Sequence, residues 1–213
     1  MAMRMRGGDV RMVIWYFVLS LAIAAVWIIY ARVTENGFQT IVGATLSLCA
    51  LTVMFAVTNR SLIVEPAGRI GFGPLGYLLI AVAAVPIVVF VVGYVHALYS
   101  WFGIKLPGEL ADFAGRSIAW PLLLVVILPP LVEELAFRGL IYGGLRKSLT
   151  VPETFIVSSF AFAILHLSVP SLVTHFPLGL YFCWLRHRSK SLWPGVFAHA
   201  CHNFGVCVFH WLA

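Results

Sequence analysis

The chain has 213 residues, of which 62% are hydrophobic and 10% charged, with a formal net charge of +6. A water-soluble domain carries about a quarter of its residues as Asp, Glu, Lys and Arg, so a soluble surface cannot be covered here and the chain reads as an integral membrane protein. The basic excess does not point to nucleic acid, because the cations lie in short clusters between apolar runs, where juxtamembrane anchors are placed.

The N-terminal stretch MAMRMRGGDVRM is basic and leads into a 20-residue apolar run, 12–31. That run exceeds a signal-peptide core and is expected to be the first span. Further apolar runs of about spanning length follow at 38–58, 74–99, 117–143, 153–169, 171–186 and 191–211. The stretch Thr154–Leu185 holds no formal charge over 32 residues, too long for one helix across the bilayer. Pro170 and Pro177 offer a break, since proline cannot donate to the helix ladder, and the sixth span is then short. The expectation is an all-α, polytopic bundle of about seven transmembrane helices. It is read as one domain, with spans that carry no motif over 1–116 and a functional core over 117–213. Cys49, Cys183, Cys201 and Cys207 fall in apolar segments without a CxxC, so buried free thiols are expected rather than a disulfide framework or a zinc knuckle.

Placing the N-terminus inside puts Arg4, Arg6, Arg11, Arg60, Arg69, Arg146, Lys147, Arg186, Arg188 and Lys190 on the inner side. Arg32, Lys105 and Arg116 are then outside. This asymmetry predicts a cytoplasmic N-terminus and, after seven spans, an external C-terminus. The small size without soluble appendages suggests a bacterial or archaeal chain, and a bacterial one would lie in the cytoplasmic (inner) membrane.

The fourth run contains LPPLVEELAFRGL, with Glu133, Glu134 and Arg138 inside six residues. A charge at the centre of a span costs about 2.5–3.5 kcal/mol on insertion scales, and intramembrane ionisable groups are functional by default. Glu134 and Arg138 are i and i+4, acid first, the favourable order for an ion pair. Glu133 points about 100° away on the wheel and must face another helix. The polar residues it can meet are His166, one turn after Phe162 in FAFAILHLS, and His199 and Asn203, i and i+4 in FAHACHNFG. His202 lies to one side of that pair, and His96 and His210 read as ordinary core histidines.

Glu133, His166 and His199 are ligand types for zinc, but there is no HExxH. Ser158, Ser159 and Ser168 are present without a GxSxG. What remains is a carboxylate and a histidine activating water directly. A carboxylate in a low-dielectric cavity is poised for general-base work, and His199 with Asn203 would hydrogen-bond a developing oxyanion.

EExxxR (Glu133, Glu134, Arg138), FxxxH (Phe162, His166) and HxxxN (His199, Asn203), in that order and each in an apolar helix, resemble the CPBP family of intramembrane proteases. That family includes type II CAAX prenyl endopeptidases and bacteriocin-processing and self-immunity proteins. The lead-in SLWPGVFAH also looks like the family, and the resemblance covers roughly residues 117–210. It implies a glutamic endopeptidase without a metal cofactor. Glu133 and His166 would activate water, His199 and Asn203 would stabilise the oxyanion, and Glu134 and Arg138 would hold the site together.

The implied partner is a membrane-anchored protein or peptide, cut near its C-terminus at a CAAX-like tail or a sorting signal, or else a bacteriocin leader. A zinc-dependent version of the same protease and a non-catalytic membrane immunity or binding protein are the rival readings. A transporter would be expected to show inverted repeats or paired broken helices, and neither is visible. One geometric demand follows: with seven spans, Glu133, His199 and His166 start at different depths, so Pro129, Pro130, Gly139, Gly143 and Gly144 are expected to bend or shift the fourth helix.

Overall fold

The computed structural model describes residues 7–63, 72–103 and 110–212. Arg4, Arg6, Arg69 and Lys105, used above for orientation, lie outside the described residues. Seven long helices form within them: α1 (Gly7–Thr34), α2 (Gly37–Thr58), α3 (Pro74–Trp101), α4 (Ala119–Leu145), α5 (Val151–Leu165), α6 (Val169–Ser189) and α7 (Trp193–Leu212). Each coincides with one of the predicted apolar runs, and no strand occurs among the described residues, so the protein is an all-α membrane bundle.

Four of these helices, α1 to α4, are long and apolar enough to cross a membrane by length and composition. At 15 residues, α5 extends only about 22 Å, short of a hydrocarbon core about 30 Å thick. The helices α6 and α7 have spanning length, but their histidines, arginines and asparagine lower their apolar character. Much of that polarity is turned into the bundle: Arg186, His199 and His202 are buried.

The predicted break in the fifth and sixth segments moves. Helix α5 ends at its cap, His166, and Leu167 takes a positive φ of 50° before extended Ser168 starts α6. Pro170 sits in the first turn of α6, where its missing N–H costs nothing. Pro177 lies inside α6, which runs on through it. The sixth helix is therefore 21 residues, and the fifth is the short one.

The fourth helix departs from α geometry in two places, with π-helical turns at Leu122–Ile127 and Leu135–Ile141. The first is accounted for by Pro129 and Pro130, which lack the N–H groups that the carbonyls of Val125 and Val126 would accept one turn earlier. The second lies beside the ion pair, and neighbouring helices capture its carbonyls: Ser158 Oγ donates to Phe137 O at 3.0 Å and Arg186 Nε to Arg138 O at 3.1 Å. Wide turns expose carbonyls that an α-helix hides, and π-bulges are frequent at functional sites.

Packing centres on α4. Helices α5 and α6 form a closely packed antiparallel hairpin, α7 lies on α3, α4 and α6, and α1 pairs with α2. The core gathers Phe137, Leu140, Phe162, Phe182, Leu185 and Ala198 from α4 to α7. One end of the bundle collects Asp9, paired with Lys147 at 3.1 Å, and Ile63, whose carbonyl accepts from Arg186. The other end places Arg116 over the Phe38 ring at 3.7 Å, beside Trp120. Lys147 and Arg186 thus share one end and Arg116 lies at the other, as the charge count requires. Arg186 is nevertheless no surface anchor: it is 3% exposed and bonds to the backbone of α4.

Candidate functional site

Glu134 and Arg138 are both fully buried and joined at 3.0 Å through Oε1 and Nη1. The rest of the guanidinium is cradled. Its Nη2 donates to Gly179 O at 3.1 Å, and its Cζ lies 4.6 Å from the Phe162 ring centre and 5.1 Å from that of Phe182. Gly179 is required by a close approach, since a Cβ there would stand 2.9 Å from Ser159 Cα. Gly195, in the SLWPGVFAH lead-in, brings α7 against the acid, and its Cβ would meet Glu134 Oε2 at 2.7 Å.

His199 stands between the two acids. Its Nδ1 is 3.3 Å from Glu134 Oε1, and its Nε2 is 3.9 Å from Glu133 Oε2. An ionised carboxylate only accepts, so Nδ1 carries the proton shared with Glu134. The ring stacks on Phe182 at 5.0 Å, which fixes its plane. Glu133 keeps a side chain 28% exposed, and its buried Oε2 has no hydrogen-bond partner among the described residues. Two neighbouring glutamates therefore occupy different environments: Glu134 is fully buried in an ion pair with Arg138, and Glu133 is partly exposed without one, although an Oε2 on each lacks a hydrogen-bond partner among the described residues.

His166 caps α5 and is exposed. Its Nδ1 lies 2.9 Å from Phe162 O, a contact that a carbonyl can only accept, so Nε2 is left as the ring's lone pair. No hydrogen bond or ion pair links it to Glu133. It joins the cluster through Phe162, whose ring lies 5.0 Å from His166 and 5.8 Å from His199. The spacing in FxxxH thus puts an aromatic floor one turn below the histidine. Helix α4 is distorted beside Pro129 and Pro130, and α5 ends early, at His166.

Asn203 makes a bond that its spacing in the sequence does not announce. Its Nδ2 donates at 2.9 Å to Val125 O, the carbonyl left over by Pro129. One of its two amide protons is committed to that bond and the other remains.

Sequence reasoning did not find His175, whose ring centre is 3.7 Å from that of His166, nor the roles of Gly179 and Arg186. The bonds of Gly179 and Arg186 to Arg138 join residues more than 40 positions apart, and His175 meets His166 across the turn between α5 and α6, so no helical spacing signals them. His96 and His210 pack on Phe209, outside the cluster. Cys49, Cys183 and Cys201 are free thiols, and Cys183 and Cys207 are buried. Among the described residues no set of three or more His, Cys, Asp or Glu side chains is arranged to hold a metal ion.

A buried acid–arginine pair, a second acid and a histidine between them, all within an apolar bundle, define a membrane protein with an internal polar centre. Residues 115–205 match the family model described as type II CAAX prenyl endopeptidase Rce1-like. The chain is also 31% identical over 135 residues to a Bacillus subtilis (strain 168) protein named "Putative membrane peptidase YdiL", a match covering 62% of this chain and 55% of that protein. The chain thus matches about half the length of this curated relative. No solved structure gives a significant match.

Proposed function

We propose that the chain is an intramembrane endopeptidase of glutamic type, hydrolysing a peptide bond in a membrane-associated protein. The observation that carries this reading is His199 between Glu134 at 3.3 Å and Glu133 at 3.9 Å, with Glu133 Oε2 unpartnered. The match of residues 115–205 to the Rce1-like family model and likeness to a protein named as a membrane peptidase support it.

In this reading Glu133 takes a proton from water, and the hydroxide attacks the scissile carbonyl carbon. His166 Nε2 helps hold that water. The oxyanion forms against His199, held between the two carboxylates, and against the second amide proton of Asn203. Collapse breaks the C–N bond, and the proton held by Glu133 passes to the leaving amine. Glu134 and Arg138 hold His199 in place. The reaction proceeds without a metal cofactor. The substrate is cut near its C-terminus, at a CAAX-like tail or a sorting signal. The N-terminus is cytoplasmic and the C-terminus external, in a bacterial cytoplasmic membrane.

The test compares newly formed C-termini in host membranes carrying the wild type or Glu133→Gln at equal expression. Specific termini that vanish in the variant are the expected result and name the substrate. Identical terminus sets for the wild type and Glu133→Gln would overturn the reading.

A further inference from the structure

A cavity of about 270 Å³ lies between α3, the start of α6 and α7. Ser168, Ser171, Thr174, His175, His202 and Asn203 contribute its polar lining, and no Asp, Glu, Lys or Arg takes part. The cavity adjoins the proposed catalytic cluster at two points: Asn203 lines it directly, and the His175 ring packs against that of His166, with ring centres 3.7 Å apart. His202 is 7% exposed, its Nδ1 is fully buried without a partner, and neither ring nitrogen makes a hydrogen bond among the described residues. His175 Nδ1 is engaged with Ser171 O at 3.1 Å and Thr174 Oγ1 at 3.0 Å, which leaves its Nε2. A second cavity of about 400 Å³ shares Val91 and Thr174 with the first and continues between α3 and α6. Pro86, Phe90, Val173, Pro177 and Tyr181 line it, so its wall is almost wholly apolar.

An imidazole buried without a partner is costly, and uncharged hydroxyl, imidazole and amide groups can each be met by N–H or C=O. A carboxylate or phosphate ligand calls for Arg, Lys or a clustered set of N–H groups, and an ammonium calls for Asp or Glu. Neither is offered here. The ligand that fits is neutral and carries both donors and acceptors. A peptide backbone taken out of a helix has that chemistry: in lipid every N–H and C=O it exposes must be satisfied by the protein, and a scissile amide cannot be reached while it remains within the helix ladder.

We infer that the polar cavity is the subsite for the unwound backbone of the substrate next to the scissile bond, with His202 and Thr174 as specificity-determining contacts and the apolar cavity between α3 and α6 receiving adjoining side chains. The inference rests on the peptidase reading and adds the recognition of extended, uncharged, apolar-flanked backbone to it.

The test uses the full-length chain in host membranes and scores the C-termini that depend on Glu133. His202→Leu and Thr174→Val are each expected to lower their yield by roughly tenfold, the scale of one lost hydrogen bond to a desolvated group. His202→Gln, which keeps a polar head, should remain within about threefold of wild type on the same scale. Raising the level of the substrate so identified should restore the yield of His202→Leu and leave Glu133→Gln inactive, as a binding defect requires. Melting in detergent reports folding. If His202→Leu melts early, Thr174→Val decides alone. Undiminished yield in both variants, or equal loss in His202→Gln and His202→Leu at unchanged melting, overturns the subsite. Wild type indistinguishable from Glu133→Gln overturns the peptidase reading itself, and the subsite falls with it.

Discussion

In α2 only 11% of the most apolar stretch is buried, against 33% in α4, although both helices have the length and composition to span a bilayer. The first three helices turn large side chains outward: Ile29, Val57, Leu75, Val89 and many others are exposed. A bilayer solvates those side chains as well as a protein core would. The region from α4 to α7 instead solvates its own polar groups. Glu134, Arg138, Arg186 and His199 are buried there and are held by one another or by backbone carbonyls. The two regions share an apolar composition and differ in what a side chain meets. Close packing and polar satisfaction bear on more groups in the second region; in the first they are met between α1 and α2, where Tyr16 and Thr52 share a buried hydrogen bond of 2.8 Å and a Cβ on Gly43 would meet the Trp27 ring.

That contrast can be broken most severely at Arg138. Arg138→Met leaves Glu134 in the core without its guanidinium, with only the 3.3 Å contact to His199 among the described residues, a loss of roughly 3–5 kcal/mol, and should yield no folded protein in a detergent melting experiment. Arg32→Met, at the end of α1, should melt as wild type does.

A sharper probe is the bond from Asn203 to the carbonyl freed by Pro129. Asn203→Leu orphans Val125 O and should cost about 1–3 kcal/mol. In the Pro129→Ala background the helix supplies its own donor, so the same Asn203→Leu step should cost clearly less. A double-mutant cycle measured by melting checks this, and additive losses would show that the carbonyl is satisfied in some other way.

The smallest effects come from paired glycines. Gly179→Ala forces a Cβ against the backbone of Ser159 and should destabilise by about 1–3 kcal/mol. Gly93, in α3, has open space around it, and Gly93→Ala should stabilise by about 0.5–1 kcal/mol through helix propensity. Equal effects at the two positions would mean that the regions are packed alike.

The helices were legible in the sequence because hydrophobic run length is a local property. All seven lie where the apolar runs predicted them. The break between α5 and α6 was misplaced because proline in the first turn of a helix and proline that ends one read alike along the chain. The Glu134–Arg138 pair was legible for the same local reason: i and i+4 face each other on any helix.

By itself, then, the sequence determined a membrane bundle of helices, the ion pair in its fourth helix and the set of polar residues that lipid would not tolerate. The tertiary structure alone decided that His199 sits between two acids, that Asn203 repairs a helix opened by proline, and that His175 and His202 line a cavity beside His166. Those contacts join residues on different helices, most of them tens of positions apart. Their geometry follows from how α4 widens and how closely Gly179 and Gly195 let α6 and α7 approach, and neither can be read from spacing along one chain.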